Sequence, residues 1–271
     1  MIFFFIKMII LLIFIIIIIC AIYITTGGEP EEDFNPPFII KKYSGFNVIR
    51  DDKLPGGTKQ RGLYYFIPKY VTKKIIIYAG PPQGIAQVAM GVLARHYGLT
   101  AYMFYVAPSA ETPLMPLSRR AAEYGVILRY GGPYLAACQE TAAKFAAEVD
   151  GQLLPFGLDD PHFKDCLTTA IQKNVNFKPK RIWLVAGSGV LLNVLYRVFP
   201  RTYFLVVQVG RKIWPDQTEP KRTKIYISPH KFIENTNKPP PYKSVVNYDA
   251  KLWEFVKKYG RSGDYVWNVA G

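Results

Sequence analysis

From residue 74 to residue 209 the chain alternates two kinds of segment, and this alternation limits the fold more than any other feature. Short runs of consecutive apolar residues, such as Lys-Ile-Ile-Ile-Tyr at 74–78, are followed by longer stretches with helical spacing. A strand buried on one face shows alternating polarity, whereas a strand covered on both faces reads as a continuous apolar run. Strands are expected at 46–50, 74–78, 100–106, 126–130, 181–185, 203–209, 224–227 and 265–269. Helices are expected at 58–67, with Thr58 as its cap and Pro68 near its stop, and at 84–97, 116–124, 134–148, 161–173, 191–198 and 250–258. Repeated strand–helix units of this kind predict an α/β domain, with parallel sheet flanked by helices on both faces in three layers. In such sheets ligands collect at the loops beyond the strand C-termini.

Ahead of this region lies a segment of different character. Residues 8–24 form an uncharged run after Lys7, rich in isoleucine, and at roughly 1.5 Å per residue it reaches about 25 Å. The expectation is one N-terminal transmembrane helix over residues 1–26, acting as a single-pass signal anchor. A cleaved signal peptide and an upstream extension are the competing readings. Lys7 before the run and acids after it do not decide on which side of the membrane the rest of the chain sits. Residues 27–45, polar, acidic and Pro-rich at the start, read as a linker. The α/β region then spans 46–271 as two interleaved subdomains, the smaller at about 75–180.

The formal charge of +14 is unevenly placed: residues 173–243 hold 14 Lys and Arg against Asp216, Glu219 and Glu234. A basic face of this kind attracts phosphate ligands, anionic lipid or nucleic acid. No zinc finger, RNP-like pattern or basic helix singles out a specific nucleic acid. Three cysteines (Cys20, Cys138, Cys166) make no disulfide framework, and the widely spaced His96, His162 and His230 give no metal-site spacing, so no metal is expected.

The strongest chemical candidate is Gly56-Gly57-Thr58-Lys59, a glycine turn opening a helix. The first turn of a helix presents unpaired N–H groups and a positive dipole end, so a lysine there is electrostatically misplaced. If buried, its pKa falls and it becomes a neutral amine able to condense with an aldehyde. An ordinary surface lysine beside a Gly-Gly turn is the plainer alternative.

Four stretches, in order, resemble fold-type II pyridoxal-phosphate enzymes. Arg50-x-Asp52 followed by Gly56-Gly57-Thr58-Lys59-x-Arg61 is similar to the stretch around the cofactor lysine, nearest the aminocyclopropane-carboxylate deaminase and D-cysteine desulfhydrase branch. Residues 79–84 (Ala-Gly-Pro-Pro-Gln-Gly) are similar to the loop that holds the cofactor ring, and Ala186-Gly187-Ser188-Gly189 to the phosphate cradle. Tyr248-Asp249-Ala250-Lys251 and the closing Val266-Trp267-Asn268-Val269-Ala270-Gly271 are similar to the closing helix and strand. The resemblance implies a tryptophan-synthase-β-like fold and pyridoxal 5'-phosphate as cofactor. It implies an imine at Lys59, phosphate contacts at Gly187, Ser188 and Gly189, ring contacts at Gln83 and Gly84, and Asn268 near the ring nitrogen.

The departures from the pattern are Pro82 for a serine, Val190 and Leu191 for Gly and Thr, and Val269 for a threonine. Three functions therefore stand side by side. One is a membrane-tethered lyase or deaminase acting on a small amino acid; the second is an inactive family member serving as a binding or scaffold protein at a membrane; the third is a different phosphate-ligand α/β domain, such as a nucleotide or sugar-phosphate binder. The membrane contact would be through residues 1–26, no specific nucleic acid is expected, and a homodimer is kept open.

Overall fold

The computed structural model describes residues 13, 15, 33–214 and 217–271. The apolar segment read as a membrane anchor lies outside the described residues except for Ile13 and Ile15, which are helical and exposed. Among the described residues no helix is long and apolar enough to cross a membrane.

Two sheets carry the region from Phe34 to Gly271. The larger is formed by β1 (Ile40–Tyr43), β2 (Phe46–Arg50), β7 (Arg181–Ala186), β8 (Tyr203–Gln208), β9 (Thr223–Ile227) and β10 (Tyr265–Asn268), in the order β1-β2-β10-β7-β8-β9. All its pairings are parallel except β1 with β2. The smaller sheet has β3 (Ile75–Gly80), β4 (Thr100–Val106), β5 (Ile127–Gly132) and β6 (Gln152–Leu153), all parallel in the order β5-β4-β3-β6. β1 lies within the stretch read as a linker, where its polar Ile-Lys-Lys-Tyr sequence gives no apolar run. It is an edge strand, and edge strands are commonly short and lysine-bearing.

The helices are α1 (Gly57–Tyr70), α2 (Ala86–His96), α3 (Pro116–Glu123), α4 (Leu135–Glu148), α5 (Pro161–Asn174), α6 (Val190–Val198) and α7 (Leu252–Tyr259). The apolar strands are covered on both faces, as their composition requires. In β7 and β8, Ile182, Leu184, Phe204 and Val206 join a core with Leu192 and Leu195 of α6, while Trp183, Val185, Leu205 and Val207 join another with Leu252 and Val256 of α7. In the smaller sheet, Ile77, Ala79 and Phe104 pack on Cys138 and Ala142 of α4, and Ile76 and Met103 face the core shared with α2. Successive side chains on a strand point to opposite faces, so each strand serves two cores.

Two details of α1 correct the reading from sequence. The helix starts at Gly57 with Gly56 as its N-cap, and Thr58 does not cap it. The Thr58 hydroxyl instead donates to Asp51 Oδ2 at 2.7 Å. The helix also continues past Pro68 to Tyr70. Proline lacks the N–H that would bond the carbonyl four residues earlier. Here the Tyr97 hydroxyl takes that place, donating to Tyr64 O at 2.7 Å.

Candidate active site

The start of α1 is held by a buried network that accounts for the charged residues around the glycine turn. Arg50 forms a two-pronged pair with Asp52, at 2.7 Å on each oxygen, and also bonds the Tyr43 hydroxyl. Arg61 pairs with Asp51 Oδ1 through Nε at 3.0 Å and Nη2 at 2.9 Å. Trp267 Nε1 donates to Thr58 Oγ1 at 3.0 Å. Such charges are tolerated inside a protein only when paired and fully hydrogen-bonded. The network clamps β2, β10 and α1 together. Gly57 sits at φ +61°, and a Cβ there would stand 2.3 Å from Val269 O, so no other residue fits the turn. Closing it, the Thr58 N–H donates to Val269 O at 2.9 Å.

This clamp aims Lys59 inwards. Its Nζ donates to Gly157 O at 2.6 Å, and burial pushes its pKa down to about 8, opposed only in part by Asp159. Gly157 lies at φ +72° between β6 and α5, and its own N–H donates to the Tyr78 hydroxyl at 3.1 Å. Burial pushes the Tyr78 phenol up to about 12, so it is neutral at physiological pH.

Lys59 and the glycine turn after β7 face one another. A small cavity of about 50 Å³ is lined by Lys59, Gly187, Ser188, Gly189, Val190 and Leu191 among others. Gly189, at φ +79°, is the N-cap of α6, so the helix presents first-turn N–H groups with no intrahelical acceptor. Two outer amides orient the turn: Gln217 Nε2 donates to Ser188 O at 3.3 Å and Asn193 Nδ2 to Gly189 O at 3.0 Å. In a planar trans peptide the N–H points opposite the C=O, so the N–H groups of Gly189 and Val190 point away from those amides. This is an anion cradle of backbone donors.

A larger cavity of about 300 Å³ adjoins the turn and is lined by Gln83, Gly84, Gly187 and Ser188 together with Tyr78, Phe156, Phe232, Tyr248 and Asp249. Asp249 is 4% exposed; its Oδ2 accepts from Ala270 N at 3.1 Å, while its buried Oδ1 has no hydrogen-bond partner. Burial, more than anything else, raises the Asp249 pKa well above the usual carboxylate range. Burial likewise raises the Tyr248 phenol.

The structure thus brings Lys59, Gln83, Gly84, Gly187, Ser188 and Gly189 to two adjoining cavities. Asn268 is placed elsewhere. Its Nδ2 donates to Asp52 Oδ1 at 2.7 Å and Lys243 O at 2.8 Å, and its Oδ1 accepts from Ser244 at 2.8 Å. Its amide is spent on the clamp rather than on the cavity. Gly157, Tyr78 and Asp249 escaped sequence reasoning. Asp249 lay inside a recognised stretch, yet nothing local distinguishes an unpartnered acid from a helix-capping one. Gly157 carried no signal beyond its place in a loop.

No family model matches the chain, and no curated protein matches it. Solved structures do. An ACC deaminase homologue is 16% identical, over 92% of this chain and 94% of that one, with a TM-score of 0.70. A hydrogen sulfide-producing enzyme from Fusobacterium nucleatum is 13% identical over 91% and 97%, with a TM-score of 0.63. Serine racemase from Dictyostelium discoideum is 12% identical over 88% and 92%, with a TM-score of 0.58. The chain has the tryptophan-synthase-β-like fold shared by fold-type II pyridoxal-phosphate enzymes.

Proposed function

We propose that the protein binds pyridoxal 5'-phosphate and acts as a lyase or deaminase on a small amino acid, tethered to a membrane through residues 1–26. The observation that carries this reading is the convergence of the Lys59 amine and the Gly187–Gly189 turn on one cavity wall. Structural neighbours that include threonine deaminase and diaminopropionate ammonia lyase support the reaction class.

The residues present fit the cofactor. Gly187, Ser188, Gly189 and the start of α6 would hold its phosphate through backbone N–H groups. Asp249 offers a buried, unpartnered oxygen at the larger cavity, suited to a ring nitrogen that shares a proton with it. Gln83 and Gly84 would flank the ring. When bound, the cofactor supplies an electron sink for a carbanion beside the substrate amine.

The chain's own residues supply the rest. With a pKa of about 8, Lys59 holds a useful fraction of neutral amine near neutral pH, so Nζ serves as nucleophile and as carrier of a proton. The Gly157 carbonyl holds Nζ in place. Phe156, Phe232 and Val245 wall the larger cavity with apolar surface and limit water there.

One observation favours a second reading, a binding or scaffold protein without chemistry. Val190, Leu191 and Val269 put apolar side chains against the small cavity where polar contacts are expected. One experiment separates the two. The purified protein is mixed with pyridoxal 5'-phosphate, reduced with borohydride and digested, and the added mass is mapped. The adduct is expected on Lys59 and absent in Lys59→Ala; an unmodified Lys59 defeats the proposal. An adduct without ammonia or keto-acid release from any small amino acid selects the second reading.

A further inference from the structure

We infer that the end of the larger sheet opposite the cavity docks onto a membrane surface rich in anionic lipid. The parallel strands start at this end, and their starts are strongly basic. Lys180 and Arg181 lead into β7, Arg201 precedes β8, Lys221 and Lys224 flank the start of β9, and Arg261 precedes β10. The last turn of α7 adds Lys257 and Lys258. Apart from half-buried Arg181, these cations are exposed. Among the described residues, two acids beside these strand starts are engaged. Glu219 is gripped by Arg222 at 2.6 and 2.7 Å. Asp264 is buried and accepts from Trp183 Nε1 and the Arg261 N–H, both at 2.9 Å, with Arg181 at 3.5 Å. The exposed charge along these strand starts is therefore predominantly positive.

The same end holds a groove of about 470 Å³ in which Arg181, Lys224 and Arg261 stand among Tyr203, Tyr226 and Tyr259. α7 is eight residues long and leaves this part of the sheet open. Cations beside tyrosines suit the headgroup layer, where lysine and arginine meet phosphate and a tyrosine's apolar ring and polar hydroxyl each find their medium. Nucleic acid fits less well. Tyr226 is stacked on Trp183 at 5.5 Å and on Tyr259 at 5.1 Å, so its ring faces are spent and give no platform for bases.

The chain's entry point supports a membrane as the partner. Asn174 Nδ2 donates to Asn35 O at 2.6 Å, and Phe38 packs on Phe177 at 5.8 Å. The first described residues of the body are thus tied to the segment that leads through Lys178 and Lys180 into β7. The uncharged run at 8–24 precedes that point in the sequence. Docking at this end leaves the cavities, which lie beyond the strand C-termini, open to small molecules.

The test is lysine footprinting of the whole chain in vesicles with a membrane-impermeant acylating reagent. One set of vesicles is pure phosphatidylcholine and the other carries about 30% phosphatidylserine. Lys180, Lys221, Lys224, Lys257 and Lys258 are expected to label roughly threefold or more slowly in the anionic vesicles, with the difference lost in high salt. Lys53, just past the C-terminal end of β2, and Lys144, on α4, should label equally in both. Equal labelling of the basic end in the two compositions overturns the inference. So does protection by a single-stranded oligonucleotide with none from anionic vesicles, or protection by inorganic phosphate at the level the vesicles give.

Discussion

The Lys59 amine donates to the carbonyl oxygen of Gly157, 98 residues later in the chain, at 2.6 Å. The bond joins the first turn of α1 to the loop between the two sheets, beside the anion cradle. It leaves the amine with a single neutral acceptor and few solvent contacts, which is why burial dominates its titration. Covalent trapping of an aldehyde at Lys59 should therefore follow its deprotonation. From pH 6 to pH 7 the trapping rate, read by borohydride and mass spectrometry, should rise by close to tenfold, then flatten through about pH 8 towards a plateau.

The same shift is a stability statement. Because the folded pKa of about 8 lies below the ordinary 10.5, the unfolded chain binds more protons between those values, and stability rises with pH across that window. The cost is fully present below pH 8. Lys59→Met should stabilise the cofactor-free protein at pH 7 by about 1–2 kcal/mol, a figure reduced to allow for partial exposure of the side chain. Urea unfolding should show that gain shrinking towards zero by about pH 11. A gain independent of pH would point to packing instead.

Asp249 carries the opposite sign of charge and the same cause. Its folded pKa is raised, so the folded state holds its proton while the unfolded chain has released it, and stability falls as pH rises above the ordinary carboxylate value of 3.8. Asp249→Asn keeps the acceptor for the Ala270 N–H. It should stabilise the cofactor-free protein at pH 7 by about 1–2 kcal/mol and have little effect near pH 3. The same variant should weaken pyridoxal 5'-phosphate binding, measured by equilibrium dialysis, if the free Oδ1 faces the ring nitrogen.

Gly57 tests the turn that aims the lysine. An alanine would have to adopt φ +61° with its Cβ 2.3 Å from Val269 O and 3.0 Å from the Ala270 Cβ. Gly57→Ala should cost about 3 kcal/mol or more and lower the thermal midpoint accordingly. Gly98, also at positive φ but with nothing within 4 Å, should lose only about 1 kcal/mol as alanine.

A double-mutant cycle tests the repair of α1. Tyr97→Phe removes the hydroxyl that donates to Tyr64 O, and should cost about 1–1.5 kcal/mol. In a Pro68→Ala background the restored N–H of residue 68 can reach that carbonyl, and the cost of Tyr97→Phe should fall below about 0.5 kcal/mol. Equal costs in both backgrounds would reject the idea.

Much of the architecture was legible in sequence because hydrophobic pattern is local. The strands at Phe46–Arg50 and Thr100–Val106 match the expected bounds, since short runs rich in aromatic and β-branched residues favour a buried strand. β1 was not legible, because Ile-Lys-Lys-Tyr at a sheet edge carries no such pattern. Pro68 misled for a related reason: the hydroxyl that replaces its missing N–H comes from Tyr97, 33 residues away from Tyr64.

The chain by itself determined a parallel α/β body, a glycine turn before Lys59 and a second glycine turn before α6, because backbone freedom and apolar burial are properties of neighbouring residues. Tertiary structure alone decided which polar groups meet. It set Lys59 on Gly157, committed Asn268 to Asp52 and left Asp249 Oδ1 without a partner. The physical reason is that a hydrogen-bond partner and a desolvation cost belong to the surroundings of a group, and those surroundings come from segments far apart in sequence.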